Sequence, residues 1–130
     1  MATATELGSP ILLMVEDEED TAHLVRSHLE RARYQVIHSK DGRSAKDLID
    51  TMPPPDLILL DVMLPFMSGL DLLNYIKKQS GWEQLPIVML TADGSEQSVK
   101  QALKNGAIDY ILKPFRPQSL AARIGRLLNP

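Results

Sequence analysis

Short apolar runs and amphipathic segments alternate along the chain. Five runs rich in Val, Ile and Leu, at Ile11–Val15, Gln35–Ser39, Leu57–Leu60, 87–90 and 107–112, recur at intervals of roughly twenty to thirty residues and predict strands. The first, third and fourth are apolar almost throughout, which is the pattern of strands covered on both faces of a parallel sheet. Between the runs, apolar positions fall on single helical faces: Ala22, Val25, Leu29 and Ala32; Ala45, Leu48, Ile49 and Met52; Leu120, Ile124, Leu127 and Leu128. Ser95 predicts the cap of a helix running through Asn105 with Gly106 just past its end, and Pro117 suits the first turn of the last helix. Pro53, Pro54 and Pro55 stiffen the approach to the third strand. Five βα units in succession predict one α/β domain over residues 11–128, with right-handed crossovers and helices on both faces, after a short N-terminal extension at 1–10. No repeat, low-complexity tract or linker interrupts it.

Composition narrows the function without naming it. A chain of 130 residues, 44% hydrophobic and 24% charged, suits one domain with one core. The net charge is −3 and the basic residues are scattered, so the electrostatic footprint of a nucleic-acid binder is missing, and any DNA-binding role would need another domain. The chain has no cysteine, which excludes disulfides, thiolate nucleophiles and sulfur-ligated metals and suits a reducing compartment. No apolar run is long enough to span a bilayer, and residues 1–10 lack the pattern of a signal peptide, so the cytoplasm is the default location.

Candidate chemistry gathers at the predicted strand ends. In an open parallel sheet, ligands bind outside the carboxyl ends of the strands. The first strand ends in Glu16 and Asp17, the third in Asp61, the fourth in Thr91, and the fifth in Lys113 and Pro114. Three crowded carboxylates repel one another unless a cation sits among them, and an all-oxygen set with no His or Cys suits a hard ion such as Mg²⁺. Glu16, Asp17 and Asp61 are expected to face that ion together with the backbone carbonyl of Met63. The ion would shield Asp61 from an incoming phosphoryl group whose oxygens are held by Lys113 and the Thr91 hydroxyl, a description of phosphoryl transfer to a carboxylate.

With these residues in place, the chain resembles the receiver domains of two-component response regulators over about Ile11 to Leu128. The resemblance rests on Glu16-Asp17, on Asp61-Val62-Met63-Leu64-Pro65 with Gly69 following, on Thr91-Ala92 and on Lys113-Pro114-Phe115. Each motif alone is weak; their order and spacing together are specific. The resemblance implies a doubly wound, flavodoxin-like receiver fold of strand order 2-1-3-4-5 with five helices. It implies phosphorylation of Asp61 by a histidine kinase or histidine phosphotransfer protein, with Thr91, Ala92 and Lys113 contacting the phosphoryl group. It further implies a Thr91 and Tyr110 switch that alters the surface of the fourth helix, fifth strand and fifth helix, for a downstream effector domain or protein to read. A cis Lys113–Pro114 bond belongs to the same pattern. Such a domain assists its own phosphorylation and dephosphorylation but is not otherwise an enzyme.

Plainer readings stand beside these. Taken alone, the acidic run from Glu16 to Asp20 reads rather as a solvated loop with Asp20 capping a helix; its place after a buried strand reverses that preference. Lys113 alone is an ordinary surface lysine, Thr91 alone a strand end, and Tyr110 a half-buried aromatic with a wet hydroxyl. His23, His28 and His38 lack metal-ligand spacing and read as surface or packing residues. Met52, Met63, Met67 and Met89 read as core or loop fillers. Trp82 falls in a predicted loop, as a peripheral reporter or a contact residue. A flavodoxin-like nucleotide binder would need a Gly, Ser and Thr-rich loop where this chain has acids. A haloacid-dehalogenase-type phosphatase would need a second Asp where Met63 stands. A degenerate receiver would have lost one of the acidic or Lys positions, all of which are filled. Glu16 replaces the Asp common in the family. Asp109 and Arg123 fit the charge pattern of paired receivers but Asn105 and Ser119 do not, so a monomer or weak dimer, tightened by phosphorylation, is expected. Met63 and Asp93 occupy the positions that set phosphoryl lifetime in the family. The sequence fits both a free-standing receiver and one part of a larger protein.

Overall fold

Continuous burial along the inner strands builds a sheet with two covered faces. The computed structural model describes residues 8–129 and contains β1 (Ile11–Val15), α1 (Glu19–Arg31), β2 (Gln35–Ser39), α2 (Gly42–Thr51), β3 (Leu57–Leu60), α3 (Gly69–Lys77), β4 (Ile87–Thr91), α4 (Glu96–Lys104), β5 (Asp109–Leu112) and α5 (Pro117–Leu128). Residues 1–7 of the expected N-terminal extension lie outside the described residues. All strand pairs are parallel, in the order β2-β1-β3-β4-β5. Leu13, Val15, Ile58, Leu60, Ile87 and Met89 face α2, α3 and α4. Their neighbours Leu12, Met14, Leu57, Leu59, Val88 and Leu90 face α1 and α5. Successive strand side chains point to opposite faces, so a run without polar residues fills both, and each fully buried Leu, Ile or Val contributes about 1.5–3 kcal/mol.

Helix boundaries follow local chemistry. Ser95 caps α4 by accepting the Ser98 N–H, and Pro117 opens α5. The Ala107 N–H closes on the Ala102 carbonyl and the Gly106 N–H on that of Leu103, a Schellman ending with Gly106 at φ 110°. That ending shortens the expected fifth strand. Residues 107 and 108 complete the helix stop and the crossover, and β5 begins at Asp109. At the other side, β4 extends one residue further than expected and includes Thr91. Ala32, expected on the buried face of α1, is the exposed C-cap. Glu18, not Asp20, stands at the N-cap of that helix, and Asp20 lies in its first turn.

Trp82 departs from the expectation of a peripheral residue: it is 3% exposed and belongs to the core between the sheet and α3. Gly81, at φ 88°, turns the chain, and the Trp82 N–H bonds the Gln79 carbonyl, so that the indole is directed inward. Among the methionines, Met89 is fully buried, Met52 and Met67 pack against the core, and Met63 is 61% exposed in the β3-α3 loop. No helix among the described residues is long and apolar enough to cross a membrane.

Candidate functional site

Strand register brings the predicted residues to one edge. Val15 pairs with Leu60, Leu60 with Met89, and Thr91 with Leu112, so the residues that follow or end these strands emerge side by side. Two backbone bonds beyond the ladders fix them: the Asp61 N–H donates to the Val15 carbonyl at 3.1 Å, and the Lys113 N–H to the Thr91 carbonyl at 2.9 Å. Glu16, Asp61 and Thr91 are buried, whereas Asp17 is exposed.

Carboxylate oxygens of Glu16, Asp17 and Asp61 lie within 4.8 Å of one another. The Lys113 ammonium enters the cluster, 2.5 Å from Glu16 Oε1 and 2.9 Å from Asp61 Oδ2. Asp61 Oδ1 accepts the Met63 N–H at 3.0 Å, and Glu16 Oε2 that of Glu18 at 3.1 Å. Glu16 Oε1 is different. It is buried, and Lys113 approaches it outside hydrogen-bond alignment, so it has a charge nearby but no aligned donor. Its one close partner, the Lys113 ammonium, is shared with Asp61, so a single cation balances two buried carboxylates and a divalent ion would complete the neutralisation. The donors are all oxygens, which fits a hard cation of the Mg²⁺ class. Burial, above all, pushes the Glu16 carboxyl above the ordinary glutamate value, aided by the Asp61 charge and opposed by Lys113 and the Glu18 N–H. Burial alone would lower Lys113, but the Glu16 and Asp61 carboxylates outweigh it and hold the ammonium above the ordinary lysine value. The Lys113–Pro114 bond is cis.

Beside this cluster, Asp93 joins three elements. Its N–H donates to Thr91 Oγ1 at 3.2 Å, its carbonyl accepts the Tyr110 hydroxyl at 2.5 Å, and its carboxylate accepts the Ser95 N–H at 3.0 Å and the Ser98 hydroxyl at 2.6 Å. Tyr110 is half-buried with its hydroxyl bonded rather than wet. Ala92 is exposed, and with Glu18, Thr21, Lys113 and Phe115 it lines a hollow of about 420 Å³ at the mouth of the cluster. The Ser98 hydroxyl, first, and the Ser95 N–H hold Asp93 below the ordinary aspartate value. A depressed folded value means that its contribution is present above the ordinary range and is lost as pH falls through the folded value. On acid titration, the amide signals of Ser95 and Ser98 are therefore expected to shift with a midpoint below that of free aspartate. An unchanged titration in Asp93→Asn would remove Asp93 as the cause.

Sequence reasoning located Glu16, Asp17, Asp61, Met63, Thr91, Tyr110 and Lys113 in one neighbourhood, and the structure brings them there. Two contacts went unread. His38, expected to be a surface or packing residue, places Nε2 at 2.7 Å from the Glu16 carbonyl. Only the β1-β2 register, which sets His38 opposite Met14, signals that approach. Asp109 and Arg123, which the resemblance would assign to a subunit interface, pair with each other within the chain at 2.7 Å.

The model of the response regulator receiver domain family matches residues 12–125. The phosphate regulon transcriptional regulatory protein PhoB of Escherichia coli is 43% identical over 118 residues, covering 91% of this chain and 51% of its own length. Among solved structures, the chemotaxis response regulator CheY4 of Vibrio cholerae superimposes with a TM-score of 0.85 at 29% identity, over 92% of this chain and 98% of that one. The Mn²⁺-bound form of the response regulator Rcp1 gives 0.78 at 26% identity, over 91% of each chain. The chain belongs to the response regulator receiver domains of two-component systems. It spans about half the length of the curated relatives it matches.

Proposed function

We propose that Asp61 is the phosphoacceptor of a signalling switch and that Glu16, Asp17, Asp61 and the Met63 carbonyl hold one Mg²⁺ beside it. The observation that carries this reading is the convergence of three carboxylates and one ammonium within a few ångströms, with a buried Glu16 oxygen lacking an aligned donor. The ion, when bound, supplies charge compensation for a carboxylate that must approach a phosphoryl group. A carboxylate oxygen of Asp61 forms the new bond to phosphorus. The P–N bond of a phosphohistidine on a histidine kinase or histidine phosphotransfer protein breaks, and its electron pair returns to the imidazole. Lys113, 2.9 Å from Asp61, receives the phosphoryl oxygens together with the Thr91 hydroxyl and Ala92. That the related Rcp1 has a Mn²⁺-bound form supports divalent-ion binding in this family.

The switch follows from the bonds of Asp93. Movement of the Thr91 hydroxyl toward a phosphoryl group gives up its bond to the Asp93 N–H, and inward movement of Tyr110 gives up the bond to the Asp93 carbonyl. Both changes loosen the segment that caps α4, which alters the α4-β5-α5 surface read by a downstream effector domain or protein. The output is this binding surface rather than a released product, the protein is a monomer or weak dimer, and its compartment is the cytoplasm. The testing experiment is beryllofluoride binding: it is expected to require Mg²⁺ and to disappear in Asp61→Asn, and binding that survives the substitution would refute the assignment.

Hydrolysis adds a second test. Met63, two residues after Asp61 and 61% exposed, has no side-chain group to align an attacking water. Met63→Asn is expected to lose its phosphoryl group several times faster than wild type, measured as decay of the labelled protein. Equal decay would show that the side chain at this position does not govern the lifetime.

A further inference from the structure

Beyond the last pair of the β1-β2 ladder, Val15 opposite Ser39, the backbone of Glu16 still needs partners. Its N–H donates to the Ser39 carbonyl at 3.0 Å. In a parallel ladder the next donor, for the Glu16 carbonyl, would be the N–H of residue 41. The chain has bent away by then, and Asp41 caps α2 by accepting the Ser44 N–H at 2.7 Å. The imidazole of His38 takes that place, with Nε2 at 2.7 Å from the Glu16 carbonyl oxygen. A carbonyl only accepts, so Nε2 carries the proton.

This carbonyl belongs to the peptide that joins Glu16 to Asp17, two of the three carboxylate bearers. Their like charges push that peptide away from Asp61. Ser39 holds the N–H of Glu16, in the peptide before it, and His38 holds the carbonyl of Glu16, in the peptide after it, so the backbone is anchored on both sides of the Glu16 side chain. We propose that His38 is a positioning residue for the divalent-ion site, fixing through its Nε2–H the peptide from which the Glu16 and Asp17 carboxylates are aimed. This inference rests on the reading of the site as a Mg²⁺ site. The ring also borders a hollow of about 590 Å³ between α1 and α2, lined by Glu19, Lys40 and Asp47 as well, so changes of side chain are sterically tolerable.

Partners that orient metal ligands affect affinity strongly, so His38→Leu, which keeps packing without a donor, and His38→Ala are expected to bind Mg²⁺ about tenfold more weakly in calorimetric titration, while His38→Gln, whose amide N–H reaches a similar point, stays within about twofold of wild type. At saturating Mg²⁺ the rate of phosphoryl uptake from a small acyl phosphate is expected to return to the wild-type value in all three variants. Wild-type affinity in the Leu variant overturns the proposal, as does a Gln variant as weak as Leu or an uptake rate that excess Mg²⁺ fails to restore. Wild-type protein that binds no Mg²⁺ would instead overturn the site reading itself, and this inference with it.

Discussion

Asp61→Asn is expected to abolish phosphoryl uptake and, in magnesium-free buffer, to melt at a higher temperature than wild type. The first half follows from removing the carboxylate held between Lys113 and the Met63 N–H. The second follows from the balance of charges. Three carboxylates share one ammonium, so neutralising Asp61 removes two repulsions and the cost of burying a charge at a position only 4% exposed. It also removes one attraction to Lys113, which keeps Glu16 at 2.5 Å. One side-chain hydrogen bond is weakened, at a cost of about 1 kcal/mol. The net gain is on the order of 1–2 kcal/mol in the absence of the ion. Added Mg²⁺ should narrow or reverse the difference, because the wild-type protein retains all its ligands and is stabilised by binding. Thermal melts with and without Mg²⁺ test this; a variant that melts below wild type without the ion would mean that Asp61 is satisfied by Lys113 and is not a strained member of the cluster.

The residues of this cluster are legible in the sequence only through the strands that carry them. An acidic pair, a lone Asp, a Thr and a Lys carry no shared signal in sequence until the apolar runs are read as parallel strands, whose carboxyl ends must lie together. The runs were readable because a sheet covered on both faces leaves no polar position within its inner strands, as in Leu57–Leu60. Where no periodicity exists, sequence reasoning had no face to assign. Trp82 sits between Gly81 and Glu83, polar surroundings that suggest exposure, yet the turn at Gly81 sends it into the core. His38 alternates correctly for an edge strand, but its contact with Glu16 depends on register, which a single strand does not encode. Ala107 and Ile108 extend the apolar run of β5 toward its start, while the backbone hydrogen bonds of residues 106 and 107 belong to the end of α4.

Gly69→Ala is expected to destabilise the protein by about 3 kcal/mol or more, against the usual sign for this exchange in a helix. Gly69 opens α3, where alanine is ordinarily favoured by up to about 1 kcal/mol. Here a Cβ would sit 1.8 Å from the Asp61 carbonyl oxygen, and 2.7 Å from both the Asp61 carbonyl carbon and Val62 Cα. These are backbone atoms at the end of β3, bound by the Asp61 N–H to Val15 and by the Gly69 N–H to the Val62 carbonyl at 2.8 Å, so neither side can yield alone. Any relief moves Asp61 itself, and phosphoryl uptake should fall together with stability. Gly125 provides the opposite case in the same chain: within α5, its Cβ would meet only the Tyr34 hydroxyl, at 3.5 Å, an ordinary contact. Gly125→Ala should therefore stabilise by up to about 1 kcal/mol, the helical preference acting without a clash. Denaturant unfolding of the two variants separates the explanations. If both glycines respond with the same sign, close backbone approach beneath Asp61 is not what requires glycine at position 69.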